Sequence, residues 1–392
     1  MTILKSIVLF AAAIPWVYYL LVLFSTLRFF RTARKENLSN TDFTPQVSCL
    51  KPVRGADIDA YENYASLCHQ DYPNYEILFC VDENDAAVPV LQKLAADFPN
   101  CRIRILYGSG RDAINDKVAR LVRLVSEASH DLLVITDADV RVKPDYLRSV
   151  VAPFRDPKVG SATCLYTSTK TTGVLQKLQS ISMSSDFFAG IMVAWQLDGV
   201  KFAFGQTIVT TKKNIEGFGG YESLENRPAD DLFIGRLAAE QGFETKLLPY
   251  VVQTVADFHT LKDLLKKRIR WMTVMRHMRP WGHFGLIFTW GLPWALLAIA
   301  VHPTLTAAAT YLGVYATLRI AMAILIGVWG MKQNDTWNEL ALIPAWDLLA
   351  FFIWIDSFTQ RTIRWRGLDY RLRQGILVPA ESEEITSASQ RA

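Results

Sequence analysis

No G-x-x-x-x-G-K-[ST] pattern follows the first strand-like run of this chain, no C-x-x-C pair occurs, and neither sign of charge dominates. The first absence disfavours a P-loop nucleotidase, whose glycine-rich turn wraps phosphates with backbone N–H groups. The five cysteines (Cys49, Cys68, Cys80, Cys101 and Cys164) are odd in number. Several sit in apolar runs, so they read as buried free thiols of a reducing compartment, not as a disulfide frame or a zinc site. A net charge of +4 does not make the whole molecule a nucleic-acid ligand, and its basic residues matter by location. The glycines of GFGGY at 217–221 are too weak a pattern for a dinucleotide site and read as a turn. No internal repeat is visible, and no low-complexity tract precedes the polar tail ESEEITSASQRA, whose composition predicts disorder.

What the chain has in quantity is apolar sequence: 51% hydrophobic residues, with eleven Trp among 392 positions. That suits a membrane-attached globular protein. Ser6 to Leu27 holds no charge, lacks a small-residue cleavage site and is followed by Arg28, Arg31, Arg34 and Lys35. It predicts an uncleaved transmembrane anchor over 6–27 with its carboxyl end in the cytoplasm. A second apolar block, Phe284 to Gly330, breaks near His302-Pro303 and predicts spans over 284–301 and 304–326. A third candidate, Leu340 to Ile355, is short and contains Asp347. It is taken as interfacial or re-entrant, because only then does the basic tail RTIRWRGLDYRLRQG stay inside. The block 284–356 is thus two spans plus a third segment, followed by a basic then polar tail over 357–392. Arg319 lies within a span, where an ionisable residue faces a protein interior or a polar pathway, and Asp347 is its candidate partner.

Residues 46–265 form one domain-sized block. Short apolar runs (VSCLKPV, YEILFCVD, RIRILYG, LLVITDADV) alternate with AAVPVLQKLAADF and DKVARLVRLVSEAS, whose apolar spacing is three and four. Strand–helix alternation predicts an α/β domain with a mostly parallel sheet covered by helices. In such sheets ligands bind outside the carboxyl ends of the strands, where polar residues accumulate here. Asp82 ends one run, and Asp137 and Asp139 follow another. In extended backbone residues two apart share a side, so Asp137 and Asp139 could aim two hard oxygen ligands at one magnesium or manganese ion. Acidic strand ends that merely aid solubility, and a turn or helix cap at Asp82, are the plainer readings. Asp230 and Asp231 precede a helix-like stretch closed by Gly242. One of them, Asp230 first, can be its N-cap; the other could serve as a general base.

In order along the chain, KPVRGAD (51–57), CVDEND (80–85), NDKV (115–118), TDADV (136–140), the ADDLFIGRL helix (229–237) and KRIRW (267–271) resemble the ceramide glucosyltransferase-like family. These are membrane-bound inverting glycosyltransferases with a GT-A fold, a Rossmann-like, mostly parallel α/β domain flanked here by transmembrane helices. The resemblance extends over nearly the whole chain and includes a related branch that glycosylates hopanoids. It implies that Asp82 sits near the uracil or ribose of a UDP-sugar and that Asp139, with Asp137 nearby, holds a divalent metal on the diphosphate. It further implies that Asp231 is the base that deprotonates an acceptor hydroxyl, with Asp230 beside it. Arg270 and Trp271 would lie at the sugar-diphosphate and acceptor end, and Lys51 and Lys117 would contact the nucleotide. Two positions depart from the family pattern. Lys267 stands where the (Q/R)-x-x-R-W motif starts, keeping the charge but not the planar fork, and Arg268 is a candidate substitute. The late acidic pair is Asp-Asp, not Glu-Asp.

The basic and aromatic segment 266–281 therefore divides. Arg276, Arg279 and Trp281 read as interfacial anchors, and Arg270 and Trp271 as site residues. The expected enzyme moves a sugar from a UDP-sugar to a membrane lipid alcohol on the cytoplasmic face of a bacterial inner membrane, with no nucleic-acid partner. Glucose and ceramide are the first expectation, N-acetylglucosamine and a hopanoid polyol the second. A processive polysaccharide synthase shares the carboxylates but normally needs more spans, and a non-catalytic scaffold would not need the carboxylates. His259 reads as a helix cap or packing residue or a phosphate contact, and Trp195 with Phe187 and Phe188 as core or as an acceptor groove.

Overall fold

The computed structural model describes residues 2–34, 42–169, 173–255, 260–365, 368–373 and 376–380. His259 and the polar tail from 381 lie outside the described residues. The chain divides into two compact units: Thr32–Lys170 with Asp198–Asp257, and Met1–Arg31 with Thr171–Leu197 and Phe258–Ala392.

The first unit is built on an eight-stranded sheet. Its strands are β1 (Val47–Pro52), β2 (Tyr75–Val81), β3 (Ile103–Tyr107), β4 (Leu132–Ile135), β5 (Val140–Arg141), β6 (Val159–Thr169), β7 (Ile208–Thr211) and β8 (Glu244–Val255). The order is β3-β2-β1-β4-β7-β6-β8-β5. β1, β2, β3 and β4 pair in parallel, as the alternation predicts. All of β1 and β4 is buried, the pattern expected where helices cover both faces of a parallel sheet. The Asp116–Glu127 helix, for example, turns Val118, Leu121 and Leu124 inward. β7 runs antiparallel to both β4 and β6, whereas β6 and β8 pair in parallel. β6, β7 and β8 are absent from the four strand-like runs read above. β6 (VGSATCLYTST) is rich in small and hydroxyl residues, which are buried by hydrogen bonding as much as by apolarity: the Thr163 hydroxyl, for one, donates to the Thr207 carbonyl at 2.7 Å.

β1 lies between β2 and β4, so the chain leaves β1 toward one side of the sheet and later returns on the other. This is the switch point at which open α/β sheets part their loops. The GFGGY segment is a turn, with Gly219 and Gly220 at φ +95 and +81, a region that only glycine enters without strain.

Among the described residues of the second unit, three helices are long and apolar enough to cross a membrane: Ile3–Ala33, Leu305–Gly330 and Thr336–Ser357. The first contains the anchor expected over 6–27. The 340–355 segment, taken above as non-spanning, lies in a continuous apolar helix, whereas Pro280–Thr289 and Gly291–Val301 meet at a 54° bend. Side chains hold the bend by taking over freed backbone groups. The Tyr19 hydroxyl donates to the Thr289 carbonyl at 3.0 Å and accepts the Gly291 N–H at 2.9 Å, and the Trp294 indole donates to Ile287. Asp347 does not interrupt its helix because its charge is answered internally: Arg319 Nε donates to it at 2.9 Å and the Tyr315 hydroxyl at 2.8 Å. The expected Arg319–Asp347 partnership is present. Trp195 packs edge-on against Phe29, the packing reading of that residue. The basic stretch after 361 forms a three-stranded antiparallel sheet of Ile363–Trp365, Leu368–Arg373 and Ile376–Pro379.

Candidate active site

The polar residues of the first unit gather where β1 and β4 end and where two helices begin. Lys51, the fifth residue of β1, is fully buried, and its ammonium donates to the Asp137 carbonyl at 2.7 Å, bridging the two strands at the switch point. Burial pushes its pKa down to about 8, against the opposing pull of the Asp139 and Asp137 carboxylates.

Asp137 and Asp139 lie beyond the end of β4, and Asp139 sits inside a turn, so the expected run of extended backbone does not continue through both. β4 stops at Ile135, and the chain turns, with the Val140 N–H on the Asp137 carbonyl at 3.3 Å. The carbonyl that would continue a ladder is taken by that turn and by Lys51, so the two-residue alternation no longer argues for a shared face. The Asp137 carboxylate meets Lys117 instead, Nζ to Oδ1 at 2.7 Å. Among the described residues, no group of three or more His, Cys, Asp or Glu is arranged to hold a metal ion.

Lys117 comes from the first turn of the Asp116–Glu127 helix, and the same ammonium lies 3.7 Å from Asp230 Oδ2. Burial would lower its pKa, but Asp137, Asp230 and Asp231 raise it well above the ordinary lysine value. Asp230 and Asp231 open the Asp230–Glu240 helix, but neither is its N-cap; Ala229 holds that place and makes no side-chain cap. Both carboxylates therefore point from the first turn, where the helix dipole favours negative charge. The half-buried Asp231 accepts the Gly205 N–H at 2.9 Å on Oδ2 and the Leu232 N–H at 2.8 Å on Oδ1. Burial, and then the adjacent Asp230 charge, push its carboxyl up to about 6, with Lys117 opposing. A carboxylate that titrates there is poised to take and release a proton near neutral pH.

Asp82 follows β2, is largely exposed, and pairs with Arg120 at 2.6 Å. Arg120 is buried and also pairs with Asp116 one turn back on its own helix. The structure thus joins Lys51, Lys117, Asp137, Asp230 and Asp231 into one chain of contacts through Gly205, and holds Asp82 by Arg120. Arg120 and Gly205 were not singled out from sequence. Gly205 sits in FAFGQT, which has no motif, and Arg120 reads as one more charge on an amphipathic helix.

Arg270 and Trp271 belong to the other unit, on the Leu261–Met278 helix that starts with a Thr260–Asp263 capping box. Burial lowers the pKa of the Arg270 guanidinium. Lys267 is exposed, with its ammonium 5.4 Å from the centre of the Trp271 ring. Arg268 is buried, donates to Gln179 at 2.7 Å and lies over both Trp271 and Trp346. Its fork is committed to packing within the unit, which weakens it as a substitute for Lys267.

The model of glycosyl transferase family 21 matches residues 7–378. The chain is 23% identical over 361 residues to ceramide glucosyltransferase 1 of Caenorhabditis elegans, covering 88% of this chain and 76% of that one. It is 28% identical over 121 residues to the beta-monoglucosyldiacylglycerol synthase of Synechocystis sp., covering 30% of this chain and 24% of that one. Among solved structures it resembles a mannosyltransferase from Pyrobaculum calidifontis in complex with GDP-Man and Mn2+, with a TM-score of 0.53 at 18% identity over 86% of this chain and 99% of that one. That likeness shows the fold; the match over nearly the whole length shows more, and the chain belongs to glycosyl transferase family 21 and is a glycosyltransferase.

Proposed function

We propose that this protein transfers a sugar, with inversion, from a UDP-sugar to the hydroxyl of a membrane lipid, glucose and ceramide being the first pair to test. The observation that carries the reading is Asp231, a carboxylate held by two N–H groups at a helix start with its pKa pushed up to about 6, next to the Lys117–Asp137 pair. Asp231 takes the acceptor proton as the acceptor oxygen attacks the anomeric carbon. The bond to the diphosphate oxygen breaks with its electron pair, and the lysines nearby counter the charge left on the leaving group. Asp82, Lys51 and Lys117 serve the donor nucleotide, Asp230 keeps Asp231 basic, and the family resemblance assigns Arg270 and Trp271 to the sugar-diphosphate and acceptor end.

A divalent ion such as magnesium or manganese fits the residues present only if it brings ligands with it. Asp139 and Asp137 offer oxygen donors, and the diphosphate would complete the set, as is usual for an ion bound through one or two carboxylates. When bound, it would neutralise charge on the leaving diphosphate.

Apolar helices of spanning length in the same chain support a lipid acceptor. The arginines after the first of them favour the cytoplasmic face for the catalytic domain. The similarity to a glucosyldiacylglycerol synthase supports a second reading, a diacylglycerol acceptor. Mass spectrometry of products from membranes given UDP-glucose or UDP-N-acetylglucosamine, with ceramide, diacylglycerol or a hopanoid polyol, decides among these. A single new glycolipid is expected. A polysaccharide product would replace the reading with a processive synthase, and no UDP release with any donor would replace it with a scaffold.

A further inference from the structure

The turn Phe204–Thr207, directly before β7, is buried and held by a frame of hydrogen bonds. The Phe204 N–H donates to the buried Thr163 hydroxyl at 2.8 Å, and that hydroxyl donates on to the Thr207 carbonyl at 2.7 Å. The Thr207 N–H closes on the Phe204 carbonyl at 3.0 Å, and the Thr207 and Tyr146 hydroxyls share a bond of 3.0 Å. Gly205 sits inside this frame and meets two site residues, the Asp231 carboxylate and the Asp137 backbone, with its own backbone. Its N–H donates to Asp231 Oδ2 at 2.9 Å, and its carbonyl accepts the Asp137 N–H at 3.1 Å. A Cβ on this residue would lie 2.7 Å from Asp137 Oδ2 and 2.9 Å from Lys117 Nζ.

We propose that Gly205 is a positioning residue: its backbone fixes the spacing of Asp137 and Asp231, and the room left by its missing side chain is where the Lys117–Asp137 pair sits. The proposal rests on the catalytic reading of this site for its consequence, though not for its geometry. Its backbone is not in the left-handed region, so an alanine meets no conformational strain there. What an alanine meets is the ends of two flexible side chains, while the frame behind it is pinned by Thr163 and Tyr146. The fold should therefore survive the substitution, and the ion pair should move.

The test is a cycle of Gly205→Ala, Lys117→Ala and the double variant in the full-length protein, read two ways. Melting temperature in detergent reads the contact. Gly205→Ala should lower it, and in the Lys117→Ala background the same change should cost much less, because Asp137 can then rotate away. Turnover of UDP-glucose with ceramide in mixed micelles reads the consequence. A misplacement of about an ångström can cost on the order of 100-fold, so Gly205→Ala is expected to lower kcat by ~10- to 100-fold with the acceptor KM little changed. It should add little to Lys117→Ala. A Gly205→Ala enzyme with wild-type kcat overturns the proposal, as do melting shifts that simply add or a double variant that fails to fold. Asp231→Asn in parallel separates the two ideas. If that variant is active, the base assignment falls while the melting cycle still decides the fit around Gly205.

Discussion

Asp231 combines a raised pKa with two N–H donors, and this leads to two expectations. Removing the base, Asp231→Asn, should lower kcat by ~10²- to 10⁴-fold without unfolding the protein, measured by glycolipid formation against circular dichroism. For the wild type, the rate should fall with falling pH through about 6 as the carboxyl takes up its proton. The stability effect has the opposite sense. A folded-state pKa raised from 3.8 to about 6 means that ionising Asp231 weakens the fold as pH rises through that window. Asp231→Asn should therefore melt higher than wild type at pH 7, and the difference should vanish below pH 3.8, where both states of the wild type are protonated. A site that costs stability in order to react is a common trade.

The Asp230–Glu240 helix must be seated for its first turn to reach Gly205. Gly235, in the middle of it, makes that seating possible: a Cβ there would lie 2.6 Å from the Phe202 Cα and closer still to its carbonyl carbon. In an exposed helix, Gly→Ala stabilises by about 1 kcal/mol. Here the sign should reverse, because backbone cannot step aside as a side-chain end can. Gly235→Ala is expected to destabilise by ~1–3 kcal/mol in urea unfolding and to lower turnover, as overpacking usually does. The contrast with Gly205 is instructive, since one glycine accommodates backbone and the other accommodates the ends of site side chains.

For the molecule as a whole, the arrangement of apolar helices bears on how it meets a bilayer. If Ile3–Ala33, Leu305–Gly330 and Thr336–Ser357 each cross and the bent pair enters and returns, the basic strands after 361 lie on the same face as Arg28 and Arg31. The positive-inside rule is then satisfied, by a different non-spanning segment from the one expected. Thiol labelling in intact and opened cells should find Asn334→Cys accessible from outside and Ile376→Cys only after opening; the reverse result would make the bent pair a full span. The Arg319–Asp347 pair makes the last two helices compatible with that placement. Arg319→Ala strands a buried carboxylate and should cost ~3–5 kcal/mol in detergent melts, whereas Arg319→Met with Asp347→Leu should come close to neutral.

Sequence alone determined those features whose signal is local. The parallel β1–β4 core is legible because continuous apolar runs alternate with helices of period three and four. The apolar anchor needs only its length, and the ordered motifs carry the family resemblance. Asp82, Asp137, Asp139, Asp230 and Asp231 could be marked because strand ends and helix starts are local events. Tertiary structure decided whatever depends on a partner distant in sequence. Lys117 reaches Asp137 and Asp230, a buried Arg120 holds Asp82, and Gly205 is needed only because Asp137 and Lys117 pack where its side chain would be. The same reason accounts for a turn and a bend. The turn at Asp137–Val140 answers to Lys51, and the bend at Gly291 answers to Tyr19, which lies 272 positions away. Neither demand is written in the residues that bend.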